Sequence, residues 1–160
     1  MQYRCLTDQE LKSLEKEFKQ FLVSHGVMNE EWRQINAETP EKAQELVELF
    51  SDVVFGKVVE KVAYMIHRAP QDLKVFHFGA DQMMMLGLKL LNPAVNLLVE
   101  PYLEDLGLAI HDAGPDMVKL MRGRKGYQKS REEEAFMLLE QGCEITTAEL
   151  FERIKALHEA

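Results

Sequence analysis

The sequence has little cysteine and no long apolar run. Its 160 residues include two cysteines, Cys5 and Cys143, which are too few for a disulfide framework or for a zinc site with four thiolates. No stretch of about 18 uncharged apolar residues occurs, so a membrane-spanning helix is excluded. The N-terminus also lacks the apolar core of a secretion signal. These absences predict a cytoplasmic protein with reduced thiols and no contact with a membrane.

Motifs for metals, cofactors and catalysis are absent as well. The five histidines do not stand in His-x-x-x-His spacing, and no Cys-x-x-Cys pair accompanies them. The chain has neither the glycine loop of a nucleoside triphosphate site nor the nucleophile elbow of a hydrolase. We therefore expect no catalytic residue, no metal and no cofactor, which weighs against an enzyme.

What the sequence does contain is the composition of a globular protein. Hydrophobic residues make up 46% of the chain and charged residues 29%, which is typical of a folded domain and not of a disordered segment. A chain of this length can bury a core without disulfides or metals. No linker, repeat or low-complexity segment interrupts it, so we expect a single domain over residues 1–160.

Capping motifs and apolar periodicity predict helices in the N-terminal half. Thr7 and Glu10 form a capping box that opens a helix ending at Gly26. A short second helix follows near residue 29. A proline at the first helical position then begins a long helix, which we expect to run from Pro40 to about His67 with a wide apolar face.

The apolar period changes to two after Pro70. Residues 73–78 alternate and are rich in aromatic side chains, which predicts a strand, and residues 82–91 continue as a second strand of a β-hairpin. A helix is the alternative for residues 82–91, because methionine and leucine are good helix formers. Residues 117–125 alternate loosely and are a candidate third strand.

Helices are expected again towards the C-terminus. A short helix starts near Pro101, and Ser130 caps a helix over residues 131–141. Thr146 and Glu149 form a second capping box that opens the last helix. The fold class is therefore α+β, with N-terminal helices including one long helix, a small antiparallel sheet (a hairpin plus a possible third strand), and a C-terminal helical hairpin.

Positive charge is concentrated in one short segment. The chain has a net charge of −8, which opposes a non-specific nucleic-acid coat. Residues 116–131 contain six basic residues and one acidic residue, so this segment carries +5 and the remaining residues −13. Arginine can grip a phosphate and tyrosine can stack on a base. The candidate anion-binding residues are Arg122, Arg124, Lys125, Tyr127 and Lys129. The alternative is a solvated loop or edge strand that its charges protect from aggregation.

Two other functional patterns are weaker. His67 and His77 bracket the junction between the long helix and the first strand, and they could meet as an acid–base pair. The last two helices resemble a DNA-binding helix-turn-helix in length, but the final helix carries Glu149, Glu152 and Glu159. Since that helix would repel phosphates, its charge argues against DNA as a partner.

Packing and capping residues along nearly the whole chain carry a likeness to a known family. The chain resembles an uncharacterised family of small bacterial proteins, a domain of unknown function. The residues behind the resemblance are Tyr3-Arg4, Leu6-Thr7, Glu17-Phe18, Phe21-Leu22, Trp32, Pro40, Phe50-Ser51-Asp52, Tyr64, His67, Phe76-His77, Asn92-Pro93, Tyr127, Gly142, Ile145-Thr146 and Glu149-Leu150. The resemblance implies one intact cytoplasmic domain and implies no activity.

Together these patterns favour a small cytoplasmic interaction or scaffold protein that is not an enzyme. Its partner would be another protein or a second copy, with a homodimer through an apolar helix or sheet face as one candidate assembly. The alternative is binding of an anion, a nucleotide or another phosphate-bearing ligand such as RNA through residues 119–131. A second alternative is an enzyme that uses His67 and His77.

Overall fold

The computed structural model describes residues 3–159. Within these residues the chain forms helices at both ends and one antiparallel sheet, which confirms the α+β class. The helices are α1 (Asp8–Ser13), α2 (Glu15–Ser24), α3 (Asn29–Glu38), α4 (Pro40–Lys61), α5 (Leu106–Ala113), α6 (Arg131–Glu140) and α7 (Ala148–Glu159). The strands are β1 (Tyr64–Arg68), β2 (Asp72–Phe78), β3 (Gln82–Leu90), β4 (Val118–Gly126) and β5 (Glu144–Thr146).

The chain divides into two compact units, residues 1–60 and residues 61–160. The first unit consists of α1 to α3 and all but the last residue of α4, and the second holds the sheet with α5 to α7. Each unit has a hydrophobic cluster of its own. The expectation of a single domain over residues 1–160 stays a prediction.

The N-terminal capping box is confirmed, but the helix that it opens is shorter than expected. The Thr7 hydroxyl accepts the Glu10 N–H at 3.1 Å, and the Glu10 carboxylate accepts the Thr7 N–H at 2.9 Å. A single helix up to Gly26 was expected, whereas Leu14 leaves the helical conformation and separates α1 from α2. The Ser13 hydroxyl donates to the Glu10 carbonyl at 2.7 Å, a local bond that competes with regular helix propagation.

The core of the first unit contains Leu6, Phe18, Leu22 and Phe50. Phe18 lies 5.0 Å from Phe50 between ring centroids. A fully buried Ser51 stands on α4 beside this core. Its hydroxyl accepts the Leu6 N–H at 2.9 Å and donates to the carbonyl one turn back at 2.7 Å, so its polar atom is satisfied.

The long helix ends earlier than its apolar pattern predicts. Helix α4 begins at Pro40 as expected but stops at Lys61, and the continuation to His67 is wrong. The residues after it form β1, which pairs with β2 so that Met65 lies opposite Phe76. An apolar run of this kind carries no decisive period of its own, and pairing with neighbouring strands determines its structure.

The sheet has the strand order β4-β3-β2-β1-β5, and every neighbouring pair is antiparallel. The predicted hairpin of β2 and β3 is confirmed, so the helical alternative for residues 82–91 is wrong, and β4 is the third strand. Leu73, Leu88 and Leu120 form one row across β2, β3 and β4. This row lies in the cluster to which α5 and α7 contribute Leu106 and Phe151, and we call that side of the sheet the α7 face.

Three local predictions in the second unit are corrected. The strand β5 was missed, and it lies between the two C-terminal helices where Thr146 pairs with Tyr64. The second capping box is therefore wrong. Helix α7 begins at Ala148, and the hydroxyl of Thr147, not that of Thr146, accepts the N–H of Glu149. The short helix expected near residue 101 begins at Leu106.

A glycine in β3 occupies a position that has no room for a Cβ atom. A Cβ added at Gly87 would lie 2.6 Å from the Leu73 carbonyl oxygen, whereas one added at Gly123 in β4 would lie 3.8 Å from its nearest neighbour, Met85 Cε. We expect Gly87→Ala to lower the free energy of unfolding by about 1–3 kcal/mol, because the backbone must shift to make room. Gly123→Ala is the matched control and should be neutral or slightly stabilising. Urea unfolding checks both, and equal losses would contradict the close approach.

The capping box also predicts a pH dependence. The Arg4 guanidinium bonds both Glu10 carboxylate oxygens at 2.8 and 3.1 Å and, with the Thr7 N–H, holds the Glu10 pKa at about 2 instead of 4.5. Because the pKa is lower in the folded state, ionised Glu10 stabilises the fold above pH 4.5, and this contribution is lost as the pH falls towards 2. Glu10→Gln should cost about 1 kcal/mol at neutral pH.

The difference between Glu10→Gln and the wild type should shrink between pH 4.5 and 2, which urea unfolding at several pH values measures. Glu15→Gln is the control, since it breaks an exposed ion pair with Lys19 that contributes little stability. A Glu10→Gln deficit that is independent of pH would contradict this role of the carboxylate.

Candidate ligand-binding cavity

The basic segment lies mainly on β4, and the two-residue alternation of a strand divides its side chains. Arg122 lies opposite Leu86 and Arg124 opposite Met84, so both arginines stand on the α7 face. Lys125 directly follows Arg124, so the alternation of side chains places it on the other face of the sheet. The structure therefore brings together two of the five predicted anion-binding residues.

Lys125 is held by an acidic side chain of the following helix. Its Nζ atom lies 2.8 Å from a carboxylate oxygen of Glu134, and the other oxygen accepts the Gln128 N–H at 3.1 Å. The Glu134 side chain is almost fully buried at 9% exposure. Since a buried carboxylate needs compensation, the contact accounts for Lys125 as a structural cation.

Tyr127 and Lys129 are also separated from the arginines. The Tyr127 hydroxyl donates to the Gly79 carbonyl at 2.7 Å, which closes the hairpin end of the sheet, and burial raises the pKa of this phenol. Lys129 is exposed in the connection between β4 and α6. At the start of α6, the Arg131 guanidinium donates to the carbonyls of Val62 and Phe78.

Arg122 and Arg124 line a cavity of 730 Å³ between the α7 face and α7 itself. The volume falls within the range of small-molecule sites. Its walls come from four strands and one helix of the second unit: Tyr64 of β1, His77 of β2, Met84 and Leu86 of β3, Arg122, Gly123 and Arg124 of β4, and Phe151, Glu152, Lys155, His158 and Glu159 of α7.

Three rings form an aromatic wall. Tyr64 and His77 are opposite each other in the β1–β2 register, and their rings stack with centroids 4.6 Å apart. Each of them lies 5.5 Å from the ring of Phe151. Rings held in this way present a rigid apolar surface to whatever occupies the cavity.

The wall formed by α7 carries charged side chains of both signs and one histidine. Lys155 adds a third cation to the two arginines, while Glu152 and Glu159 contribute two carboxylates. The Nε2 atom of His158 is buried and has no hydrogen-bond partner in the part of the chain that the structure describes. A buried polar atom without a partner is costly, so a hydrogen-bonding group placed near this nitrogen would offset that cost.

Comparison with known proteins gives a family and no activity. The model of a family of unknown function, DUF6495, matches residues 1–159. The chain belongs to DUF6495. No curated protein and no solved structure matches it. The resemblance drawn from the sequence, to an uncharacterised family without assigned activity, is thereby confirmed. None of the described helices of the DUF6495 chain is long and apolar enough to cross a membrane.

The proposed pair of histidines does not form in the DUF6495 chain. His77 lies opposite Tyr64 and His67 lies opposite Lys74. His67 is three residues from Tyr64 on the same strand, so alternation places the two imidazoles on opposite faces of the sheet. The alternative in which His67 and His77 meet is therefore wrong, and an enzyme built on them loses its acid–base pair.

The two cysteines of the DUF6495 chain are free thiols in different surroundings. Cys143 is buried, and this burial raises its thiol pKa. The Cys5 sulfur accepts a hydrogen bond from Gln44 at 3.2 Å. Among residues 3–159 no cluster of three His, Cys, Asp or Glu side chains is arranged to hold a metal ion.

Sequence reasoning missed most of the cavity wall. The predicted long helix contains Tyr64, and the predicted C-terminal helical hairpin contains Phe151, Lys155 and His158 without a role in a site. Residues 64–68 do not alternate between apolar and polar side chains, so no local signal indicates a strand at Tyr64. The face on which Tyr64 lies follows from the β1–β2 register, which a local pattern does not give.

Proposed function

We propose that the DUF6495 chain binds a small organic anion with a planar, apolar body in the cavity of its second unit. The observation that carries the proposal is the placement of Arg122 and Arg124 beside the aromatic wall of Tyr64, His77 and Phe151 in a single cavity. We further infer a cytoplasmic location, which suits free thiols.

The two arginines supply the anion-binding end. They are exposed, and within residues 3–159 neither guanidinium has an ion-pair partner. Because Arg122 and Arg124 are two residues apart on one strand, their side chains project in parallel from the same face of the sheet. A guanidinium can bind a carboxylate or phosphate through two parallel hydrogen bonds, so the pair suits one compact anionic group.

The aromatic wall supplies the surface for the body of the ligand. Leu86 is buried next to it, and Met84 is half-buried. A planar ring can stack or meet such rings edge to face. On the opposite wall, the carboxylates of Glu152 and Glu159 reduce the excess of positive charge. They oppose an extended polyanion, which favours a small organic acid over a nucleic acid.

Phenyl phosphate is a suitable probe, because it joins a ring to one phosphate. By titration calorimetry it should bind more tightly than either inorganic phosphate or phenol. Arg122→Gln/Arg124→Gln should weaken its binding about tenfold or more, since charged hydrogen bonds are lost.

Lys119→Gln/Lys129→Gln is the matched control, because it removes two exposed charges of the same segment that do not line the cavity. It should change the affinity less than about twofold. Equal losses in the two double variants, or no binding of phenyl phosphate, would refute the proposal.

A second proposed function is self-association as an interaction or scaffold protein, as favoured by the sequence. It is supported by Leu49 and Val53, which are four residues apart on one side of α4 with 53% and 42% exposure. Two exposed apolar side chains on one helix face form the kind of stripe that helices bury against one another.

Light scattering at micromolar concentration tests this assembly. The wild type should show a mass above the 18.5 kDa of one chain, and Leu49→Gln/Val53→Gln should restore the single-chain mass because the apolar stripe is lost. Met137→Gln, which changes a side chain of 46% exposure on α6, is the control. A wild type with the mass of one chain excludes this assembly.

A further inference from the structure

The outer edge of β4 is open. Strand β4 is the last in the order β4-β3-β2-β1-β5 and pairs with β3 alone, so no described strand lies along its other side. It runs for nine residues, and residues 122–126 are all exposed, whereas the opposite edge strand β5 has three residues. A long open edge presents a row of unpaired backbone donors and acceptors.

The hydrogen bonds at both ends of the sheet determine which residues present those groups. Leu91 N–H donates to the Met117 carbonyl at 2.8 Å, so this opposed pair belongs to the hydrogen-bonded set. At the other end, Gly79 N–H donates to the Gln82 carbonyl at 3.0 Å, which directs Gln82 towards β2 and away from Gly126.

Because bonded and non-bonded pairs alternate in an antiparallel ladder, both ends give the same result. The odd-numbered residues of β4 direct their N–H and C=O groups to β3. The even-numbered residues, including Leu120, Arg122 and Arg124, direct theirs to the open edge.

Arg122 and Arg124 thus offer both backbone groups at the edge and guanidinium groups that have no ion-pair partner among residues 3–159. In a strand added antiparallel to this edge, the residue that exchanges backbone hydrogen bonds with Arg122 or Arg124 lies directly opposite it and has its side chain on the α7 face as well. Acidic residues two positions apart on the added strand would therefore face the two arginines, and cross-strand pairs of opposite charge are favourable.

We propose that the open edge of β4 binds an extended acidic segment of a partner protein by strand addition. A second copy of this strand is disfavoured, because its charged residues are all basic and any β4–β4 register brings together only like charges. RNA could contact the arginines but would leave the backbone edge unused, and the chain as a whole carries −8.

The proposal goes beyond the cavity, because it depends on the backbone of β4. The probe is a fluorescent heptapeptide of alternating glutamate and valine, Glu first, titrated into the full chain and followed by anisotropy. Two N-methylated versions of the peptide test which of its backbone amides bond to β4. N-methylation at the glutamates should weaken binding about tenfold or more, since these amides face β4, whereas equal N-methylation at the valines should change it little.

The protein side has a matched control for charge. Arg122→Glu/Arg124→Glu should abolish measurable binding of the unmodified peptide, because glutamates would face glutamates. Lys16→Glu/Lys42→Glu makes the same change in net charge at exposed positions in the first turns of α2 and α4, where acidic residues are well tolerated. Its affinity should stay within about twofold of the wild type.

Three outcomes overturn strand addition: no binding of the unmodified peptide, equal effects of the two methylation patterns, or an RNA oligonucleotide of equal charge that binds as tightly as the peptide. The binding of phenyl phosphate tests the cavity proposal separately. A failed methylation pattern with intact phenyl phosphate binding therefore rejects the edge interaction alone.

Discussion

The pairing of β3 with β2 and β4 determines which side chains of the second unit share a face. Leu88 is fully buried between Leu73 and Leu120, and beside it the backbone at Gly87 leaves no room for a Cβ atom. A slip of one residue would move every side chain of a strand to the other face. In β4 such a slip would take Arg122 away from the cavity, so the leucine row positions the two arginines.

The same parity connects the cavity with the open edge. Even-numbered residues of β4 direct side chains to the α7 face and backbone groups to the outside, and these two directions are fixed together by the ladder. Arg122 and Arg124 consequently border both the aromatic wall and the unpaired edge. If both proposals hold, a ligand at either place would compete for the same two guanidinium groups, and the shared pair of charges would link small-molecule binding to partner binding.

Local signals in the sequence predicted the elements whose structure is local. The capping box of Thr7 and Glu10, the proline start of α4 and the period-two hairpin all depend on neighbours within a few residues, and all are confirmed. The end of α4 and the strand β5 were not predicted, because residues 64–68 become a strand through pairing with segments that are distant in sequence. Long-range registers of this kind are not encoded in a local period.

Only part of the candidate site could be predicted, because some of its residues share a local pattern whereas others are brought together by long-range pairing. The concentration of basic residues is visible in the sequence, so Arg122 and Arg124 could be named, yet the composition gave Lys125 and Tyr127 equal weight. The contacts in the fold distinguish these residues from the two arginines. Lys125 compensates the buried carboxylate of Glu134, and the Tyr127 hydroxyl donates to a carbonyl at the end of the hairpin. Tyr64, Phe151 and His158 could not be named, because the cavity that they line is a product of the sheet register and of helix packing.

The excess positive charge of residues 116–131 therefore has two uses. Lys125 and Arg131 are engaged within the fold by Glu134 and by backbone carbonyls, whereas Arg122 and Arg124 lie on an edge strand and have no ion-pair partner in the described part of the chain. Free charges of one sign on an edge oppose pairing with another copy of that edge. They leave the edge open to a strand of opposite charge. Protection from self-aggregation and the proposed selection of an acidic partner would thus have the same electrostatic origin.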